Sequence, residues 1–369
     1  MSIKVNHIRE ILGKHILTDG YGPIIDLNKS HGSWLIDQRD GSEYLDMFSM
    51  YASGAVGYNH PYILENSDRL TLASHNKTTL SDVYNAYFAE FLDTFSKTAI
   101  PDYLPYAFFI DGGALAVENA LKVAFDWKVR KNLESGREKL GEKVIHFQQA
   151  FHGRSGYTLS LTNTSDPRKT MYFPKFQWPR ISNPALSFPI TEDVLKEVQK
   201  KEKNAIAEIK QSIKDNPYDI AAIIIEPIQG EGGDNHFRDE FMSELRQICD
   251  ENEIMFIMDE VQTGVGITGK WWAHEHFSSK PDIISFGKKT QVCGMLVSKR
   301  VNEVDKHVFA ESSRINSTFG GNLTDMVRFQ MILEIITHEN LLDNAKNMGN
   351  NLIKELENLT MEFPAFITN

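Results

Sequence analysis

The chain is poor in cysteine, with two thiols, Cys249 and Cys293, in 369 residues. Two thiols cannot make a disulfide framework, and they fit a reducing cytosol, where a free thiol packs as a small hydrophobe. Basic residues are in deficit too, 39 against 50 acidic, for a net charge of −11. That excess of acid disfavours nucleic acid and anionic membrane as general partners. Long apolar runs are missing: near the middle the longest is Ile220–Ile225, far too short to cross a bilayer. Met1–Gly20 mixes Lys4, Arg9, Glu10 and Lys14 with scattered apolar residues, so it lacks the apolar core of a signal peptide. A soluble, cytoplasmic protein with no nucleic-acid or membrane partner is expected. Low-complexity tracts and internal repeats are absent, and 41% hydrophobic with 24% charged residues excludes wholesale disorder and collagen-like repeats. The length allows two or three domains, or one large α/β unit with an appendage.

Short apolar runs alternate with segments of helical period. Strands are expected at Tyr106–Ile110, Val144–Phe147, Ala221–Ile225, Ile254–Met258, Ile283–Phe286 and Met295–Ser298. Between the first two, Leu115, Val117, Leu121, Ala124, Phe125 and Val129 recur mostly at three- and four-residue steps and predict a helix from Ala114 to about Asn132. Phe241–Glu251 reads as another helix, and 323–359 as helix again. Val194–Asp215 reads as a charged, solvated helix, and the Pro- and aromatic-rich stretch Phe173–Pro189 as a loop. Trp34–Ile36 and Tyr44–Leu45 around Asp40-Gly41 predict a hairpin. Strands apolar throughout are buried on both faces, which implies an α/β fold with a mostly parallel sheet between helices. Functional groups in such sheets gather beyond the carboxyl ends of the strands.

Three segments stand at those ends. Asp111-Gly112-Gly113-Ala114 precedes the long helix: glycines let a ligand approach the backbone, and the first-turn N–H groups attract an anion. The alternative is a tight strand-to-helix turn. Neither G-x-x-x-x-G-K-[ST] nor G-x-G-x-x-G is present, which argues against ATP and dinucleotides. Asp259 ends an apolar run, where a carboxylate is costly to bury unless paired. It suits a cationic ring nitrogen, or an ordinary strand-end cap. Lys288-Lys289 follows Ile283–Phe286, and partial desolvation would make a lysine there a nucleophile. A solvated pair is the alternative, and spacing does not choose between the two lysines. A phosphate cradle, an acid for a ring nitrogen and an imine-forming lysine together are the requirements of pyridoxal 5′-phosphate. No metal site is expected: His274-Glu275-His276 places its histidines at i and i+2, and H-E-x-x-H is absent.

The segments Asp111–Lys122, Ala150–Gly156, Ile225–Gly233, Asp259–Gly266, Phe286–Gly294 and Ser317–Asn322 resemble the class III pyridoxal-phosphate aminotransferases. Within them, Asp111–Asn119 and Gly287–Gly294 are similar to the branch that acts on the ε-amine of L-lysine. The resemblance covers nearly the whole chain. It implies fold type I, a large domain with a mostly parallel seven-stranded sheet between helices, plus a smaller α+β domain. Residues 1–55 would begin the small domain, 56–310 form the large one, and 311–369 start the C-terminal part of the small one.

By the same resemblance Lys288 is the Schiff-base lysine and Asp259 pairs with the pyridine nitrogen. Gln262 contacts the ring hydroxyl, Val261 and Phe151 cover the ring faces with His152 alongside, and Gly113 and Ala114 hold the phosphate. Ser317 and Thr318 reach the phosphate of the neighbouring subunit, which implies a homodimer. Arg154 would take the α-carboxylate of lysine. Glu231, with Glu226 nearby, would mask a second arginine until 2-oxoglutarate binds. The implied reaction gives 2-aminoadipate 6-semialdehyde and L-glutamate. Relatives continue past Asn369, so the small domain and the arginine for the second substrate are expected to be incomplete here. The rivals are ornithine or 4-aminobutyrate as donor, a cofactor-binding chain without turnover, and a racemase or mutase of the same fold.

Overall fold

A computed structural model describes residues 3–363 of the chain. Near the N-terminus, β1 (Trp34–Ile36) and β2 (Glu43–Leu45) form an antiparallel hairpin in which Trp34 faces Leu45, with the Asp40-Gly41 turn between them. The central sheet contains β3 (Tyr106–Ile110), β4 (Lys143–Phe147), β5 (Arg180–Ile181), β6 (Ile220–Ile225), β7 (Met255–Asp259), β8 (Ile283–Phe286) and β9 (Cys293–Val297). Its order is β3-β9-β8-β7-β6-β4-β5. β9 runs antiparallel to both its neighbours, and all other pairings are parallel. This is the mostly parallel seven-stranded sheet expected from the sequence.

Every residue of β6, β7, β8 and β9 is buried. Alternate side chains enter two separate cores, one on each face, as the two-residue period of a strand requires. Ile223, Ile225, Phe256, Met258, Ile284 and Phe286 face one core, packed with α1 (Ala86–Thr98), α4 (Asp239–Glu251) and α5 (Leu323–His338). Ala222, Ile224, Met255, Ile257 and Ile283 face the other, which receives Val117, Leu121 and Trp127 of α2 (Gly113–Glu134). Each fully buried large apolar side chain contributes about 1.5–3 kcal/mol. α3 (Glu192–Asp215) is not wholly solvated as its charge suggests: Val198, Ala205, Ile206 and Ile209 are buried.

Other boundaries also differ from expectation. The stretch 173–189 is not all loop, because Arg180 and Ile181 pair with His146 and Phe147 to form the sheet edge. Residues 323–359 form two helices, α5 and α6 (Leu341–Glu362), separated at Glu339-Asn340, where Asn340 has φ +52°. Ser49–Ala52 make a left-handed turn, with φ of 52°, 52°, 56° and 60° at four consecutive non-glycine residues. Such backbone persists only where its surroundings hold it. The Asp46 carboxylate accepts from Phe48 N–H at 2.9 Å and Ser49 N–H at 2.7 Å, and takes the Tyr58 hydroxyl at 2.6 Å.

Candidate active site

The carboxyl ends of β4, β6, β7 and β8 share one edge of the sheet, and the antiparallel β9 starts there. Asp259, last residue of β7, is 4% exposed. Its Oδ1 accepts from the Ser285 hydroxyl at 2.9 Å and from Val261 N–H at 3.1 Å. Its Oδ2 meets Nδ1 of His152 at 2.8 Å. Burial disfavours the charged imidazole, but the Asp259 hydrogen bond outweighs it and raises the His152 pKa. His152 Nε2 is buried and, among the described residues, has no hydrogen-bond partner. Ser285 escaped the sequence reading, although it was visible as a lone hydroxyl in an apolar strand; parallel register sets it opposite Asp259.

Lys288 follows β8 with φ +53°, a strained position for a non-glycine residue. Among the described residues its ammonium has no hydrogen bond or ion pair. Burial lowers its pKa, opposed by Asp259, Glu226 and Glu231. Lys289 has different surroundings. It is 4% exposed, and its Nζ donates to the Gln262 carbonyl at 2.6 Å and the Ala52 carbonyl at 3.2 Å. Burial and the neighbouring Lys288 bring its pKa down to about 8. The lysine facing the carboxylates is therefore Lys288, while Lys289 ties the 260–264 loop to the left-handed turn.

Gly112, before α2, has φ +103°, and no side chain caps the helix. The first-turn N–H groups of Gly113 and Ala114 thus remain available to an anion. A Cβ on Gly113 would lie 3.1 Å from Cγ1 of Val261, so the turn is pressed against the Asp259 loop. Gly153, at φ +127°, seats the Phe151–Arg154 turn on α2: a Cβ there would come within 2.6 Å of the Ala114 methyl. Gln262 packs on Gly230, whose Cβ would be 2.9 Å from Gln262 Cγ.

Glu226, beyond β6, accepts Phe151 N–H at 2.8 Å, and burial pushes its pKa up to about 8. Glu231 pairs with Lys169, whose Nζ lies 5.9 Å from the Phe151 ring centroid. The cation facing Glu231 is thus a lysine, one the sequence did not flag. Arg154 is exposed and, among the described residues, makes no ion pair.

Asp259, His152, Phe151, Val261, Gln262, Gly113, Ala114, Lys288, Glu226 and Glu231 thus line one region. Among the described residues, Ser317 and Thr318 do not join it through any hydrogen bond. The Ser81 hydroxyl donates to the Ser317 carbonyl at 3.1 Å, and Lys77 bridges Asp111 at 3.4 Å and the Phe319 ring at 4.2 Å. The His274-Glu275-His276 histidines diverge: His274 bonds Glu260 at 2.9 Å, and His276 meets the Thr268 carbonyl at 3.1 Å. No helix among the described residues is long and apolar enough to cross a membrane.

A buried carboxylate with a ring nitrogen's complement of charge, an amine facing it and an uncapped helix N-terminus together suit a phosphorylated pyridine aldehyde. The chain belongs to the class III aminotransferases, whose profile matches residues 17–368. Proteins of this family use pyridoxal phosphate. An L-lysine-epsilon aminotransferase of Mycobacterium bovis is 48% identical over 366 residues, 98% of this chain and 81% of the relative. One from Amycolatopsis lactamdurans is 46% identical over 365 residues, with the same coverage. The structure of lysine aminotransferase from M. tuberculosis, 47% identical, superposes with a TM-score of 0.96 over 100% of this chain and 84% of that one. Fold type I follows from this likeness.

Proposed function

We propose that the protein transfers the ε-amino group of L-lysine to 2-oxoglutarate, releasing 2-aminoadipate 6-semialdehyde and L-glutamate. The observation that carries the chemistry is the Lys288 amine, without a hydrogen bond or ion pair among the described residues, in the field of buried Asp259. Near-half identity to lysine enzymes over almost the whole chain supports the donor.

Bound pyridoxal phosphate supplies an aldehyde that condenses with amines and a ring that withdraws electrons from the reacting carbon. Asp259 would hold the proton on the ring nitrogen, and His152 and Ser285 fix its two oxygens. Phe151 and Val261 would cover the ring, Gln262 would meet its hydroxyl, and the N–H groups of Gly113 and Ala114 would take the phosphate. Lys288, its basicity lowered by burial, moves the proton at the substrate carbon. Arg154 takes the lysine α-carboxylate, with Glu231 and Glu226 bordering the same pocket.

In this reading the active form is a homodimer in which Ser317 and Thr318 reach the neighbouring phosphate. Residues 1–55 and 311–369 flank a large domain of 56–310. Two buried free thiols, Cys249 and Cys293, suit the cytoplasm.

Visible absorption of cofactor-loaded protein tests the reading. L-lysine is expected to bleach it, and 2-oxoglutarate to restore it with formation of glutamate. Faster bleaching by ornithine or 4-aminobutyrate would replace the donor. Bleaching without glutamate would leave a chain that binds cofactor but does not complete turnover.

A further inference from the structure

The second of the two lysines after β8 is buried without a counter-ion among the described residues. Lys289 is 4% exposed, and its ammonium is held by two neutral carbonyls, Gln262 at 2.6 Å and Ala52 at 3.2 Å. A buried lysine is ordinarily paired with a carboxylate, because taking the charge out of water is costly. We propose that Lys289 is a positioning residue for the reactive lysine: its buried positive charge disfavours a second one on Lys288, and its bond to the Gln262 carbonyl holds the Gln262 side chain at the ring. The proposal rests on the aminotransferase reading and deepens it by naming what keeps the Lys288 amine nucleophilic.

The backbone that carries the two amines is fixed on both sides. A Cβ on Gly287 would lie 3.0 Å from Cys293 Sγ and 3.3 Å from Val261 Cγ1, so the segment is pressed between β9 and the Asp259 loop. On the other side Gln291 Nε2 donates to the carbonyls of Lys288 and Ser53, each at 3.2 Å. The 260–264 loop and the left-handed turn Ser49–Ala52 thus close around the Lys289 ammonium, and neither lysine can move without the other.

The charged groups around the pair divide by side. Lys288 faces Asp259, Glu226 and Glu231, which all favour its protonated form against the effect of burial. Lys289 faces Glu260, whose carboxylate is already taken by the Thr263 hydroxyl, the His274 ring and the N–H groups of Ala273 and His274. Beyond Lys289 a cavity carries Asp46, His60 and Glu339. Asp46 is bound by Tyr58, Phe48 and Ser49, and His60 pairs with Glu339 at 3.1 Å. Lys289 loses its proton at about 8, through burial and then through Lys288, so at neutral pH it carries the charge. Two like charges in a dry site repel, and a cationic neighbour is one means by which a lysine is made nucleophilic. Three carboxylates draw a proton onto Lys288, and Lys289 opposes them.

The rate at which cofactor-free protein gains visible absorption on mixing with pyridoxal 5′-phosphate, followed from about pH 6 to about pH 10, tests this. Only the unprotonated Lys288 amine condenses with the aldehyde, with loss of water, so the half-maximal pH reports its basicity. That pH is expected to rise by about one unit in both Lys289→Met and Lys289→Gln, since both remove the charge. Lys289→Gln keeps a donor for the Gln262 carbonyl, so its dissociation constant for the cofactor should stay within about threefold of wild type, while Lys289→Met weakens binding about tenfold. A half-maximal pH within about 0.3 unit of wild type in Lys289→Gln overturns the proposal and leaves Lys289 a tether alone. Cofactor binding equally weak in both variants overturns the part assigned to the Gln262 carbonyl. Wild type that gains no absorption at any pH overturns the cofactor reading and this proposal with it, whereas normal absorption with an unmoved half-maximal pH in the variants overturns the proposal alone.

Discussion

Neighbouring lysines meet different chemistry because the chain reverses its handedness between them and the next turn. Lys288, at φ +53°, faces carboxylates, and Lys289 is consumed by two backbone carbonyls. Lys288→Ala is expected to abolish the visible absorption of the loaded protein. Lys289→Met should keep that absorption but lower stability by about 2 kcal/mol, since it leaves the Gln262 and Ala52 carbonyls unpaired. Absorbance and thermal melts separate the two outcomes. Glu226 makes a second residue-scale prediction. Its carboxyl titrates at 4.5 when unperturbed and at about 8 in the fold. Between those values the folded state holds the extra proton, so stability falls as pH rises. Glu226→Gln removes that slope. Its melting temperature should exceed wild type by several degrees at about pH 8.5 and converge with it near pH 4.5. His152 has the same sign, since its raised pKa gives stability that is complete below the ordinary imidazole range and lost as pH rises. Asp259 and the lysine pair were legible in the sequence as charges at the ends of apolar strands. Lys169 was not, because its partner Glu231 lies 62 positions away, and a lysine in a polar turn carries no local mark in the sequence.

At the level of elements, the turn Phe151–Arg154 depends on a glycine. Gly153→Ala would bring its methyl to 2.6 Å from Ala114 and 2.7 Å from the Thr158 hydroxyl, at a φ of +127°. The turn must lift off α2, carrying Phe151 and His152 with it. The expected cost is about 2–4 kcal/mol, with cofactor affinity falling at least about tenfold. Equilibrium dialysis and chemical denaturation read both. β6, β7 and β8 were legible because a strand buried on both faces is apolar nearly throughout, with Asp259 and Ser285 the exceptions in β7 and β8. β5 was not: two residues make a strand only because His146 and Phe147 offer them an edge. The break between α5 and α6 was hidden for a related reason, since Asn340 at φ +52° is tolerated in a left-handed position that its neighbours do not announce.

Across the whole molecule, stability is concentrated in the two cores beside the sheet. Phe95, fully buried against Phe91, Phe286 and Phe329, should cost about 3–5 kcal/mol when replaced by alanine. By contrast α6 has no buried residue: Leu352 is 60% exposed and Ile353 58%. Leu352→Gln should change denaturation midpoints by less than about 0.5 kcal/mol equivalent. Amides of α6 should exchange with deuterium well before those of β6.

Strand β9 lies between β3 and β8, pairing Ile110 with Cys293 and Phe286 with Gly294. During synthesis the wedge that closes this gap therefore leaves the ribosome after every other strand of the central sheet. Until then β3 has no strand partner in the sheet, and the packing of α2 on β6, β7 and β8 alone holds the helix mouth against the half bearing the reactive amine. Full closure of the sheet beside the helix mouth therefore comes with the last of its strands to be synthesised.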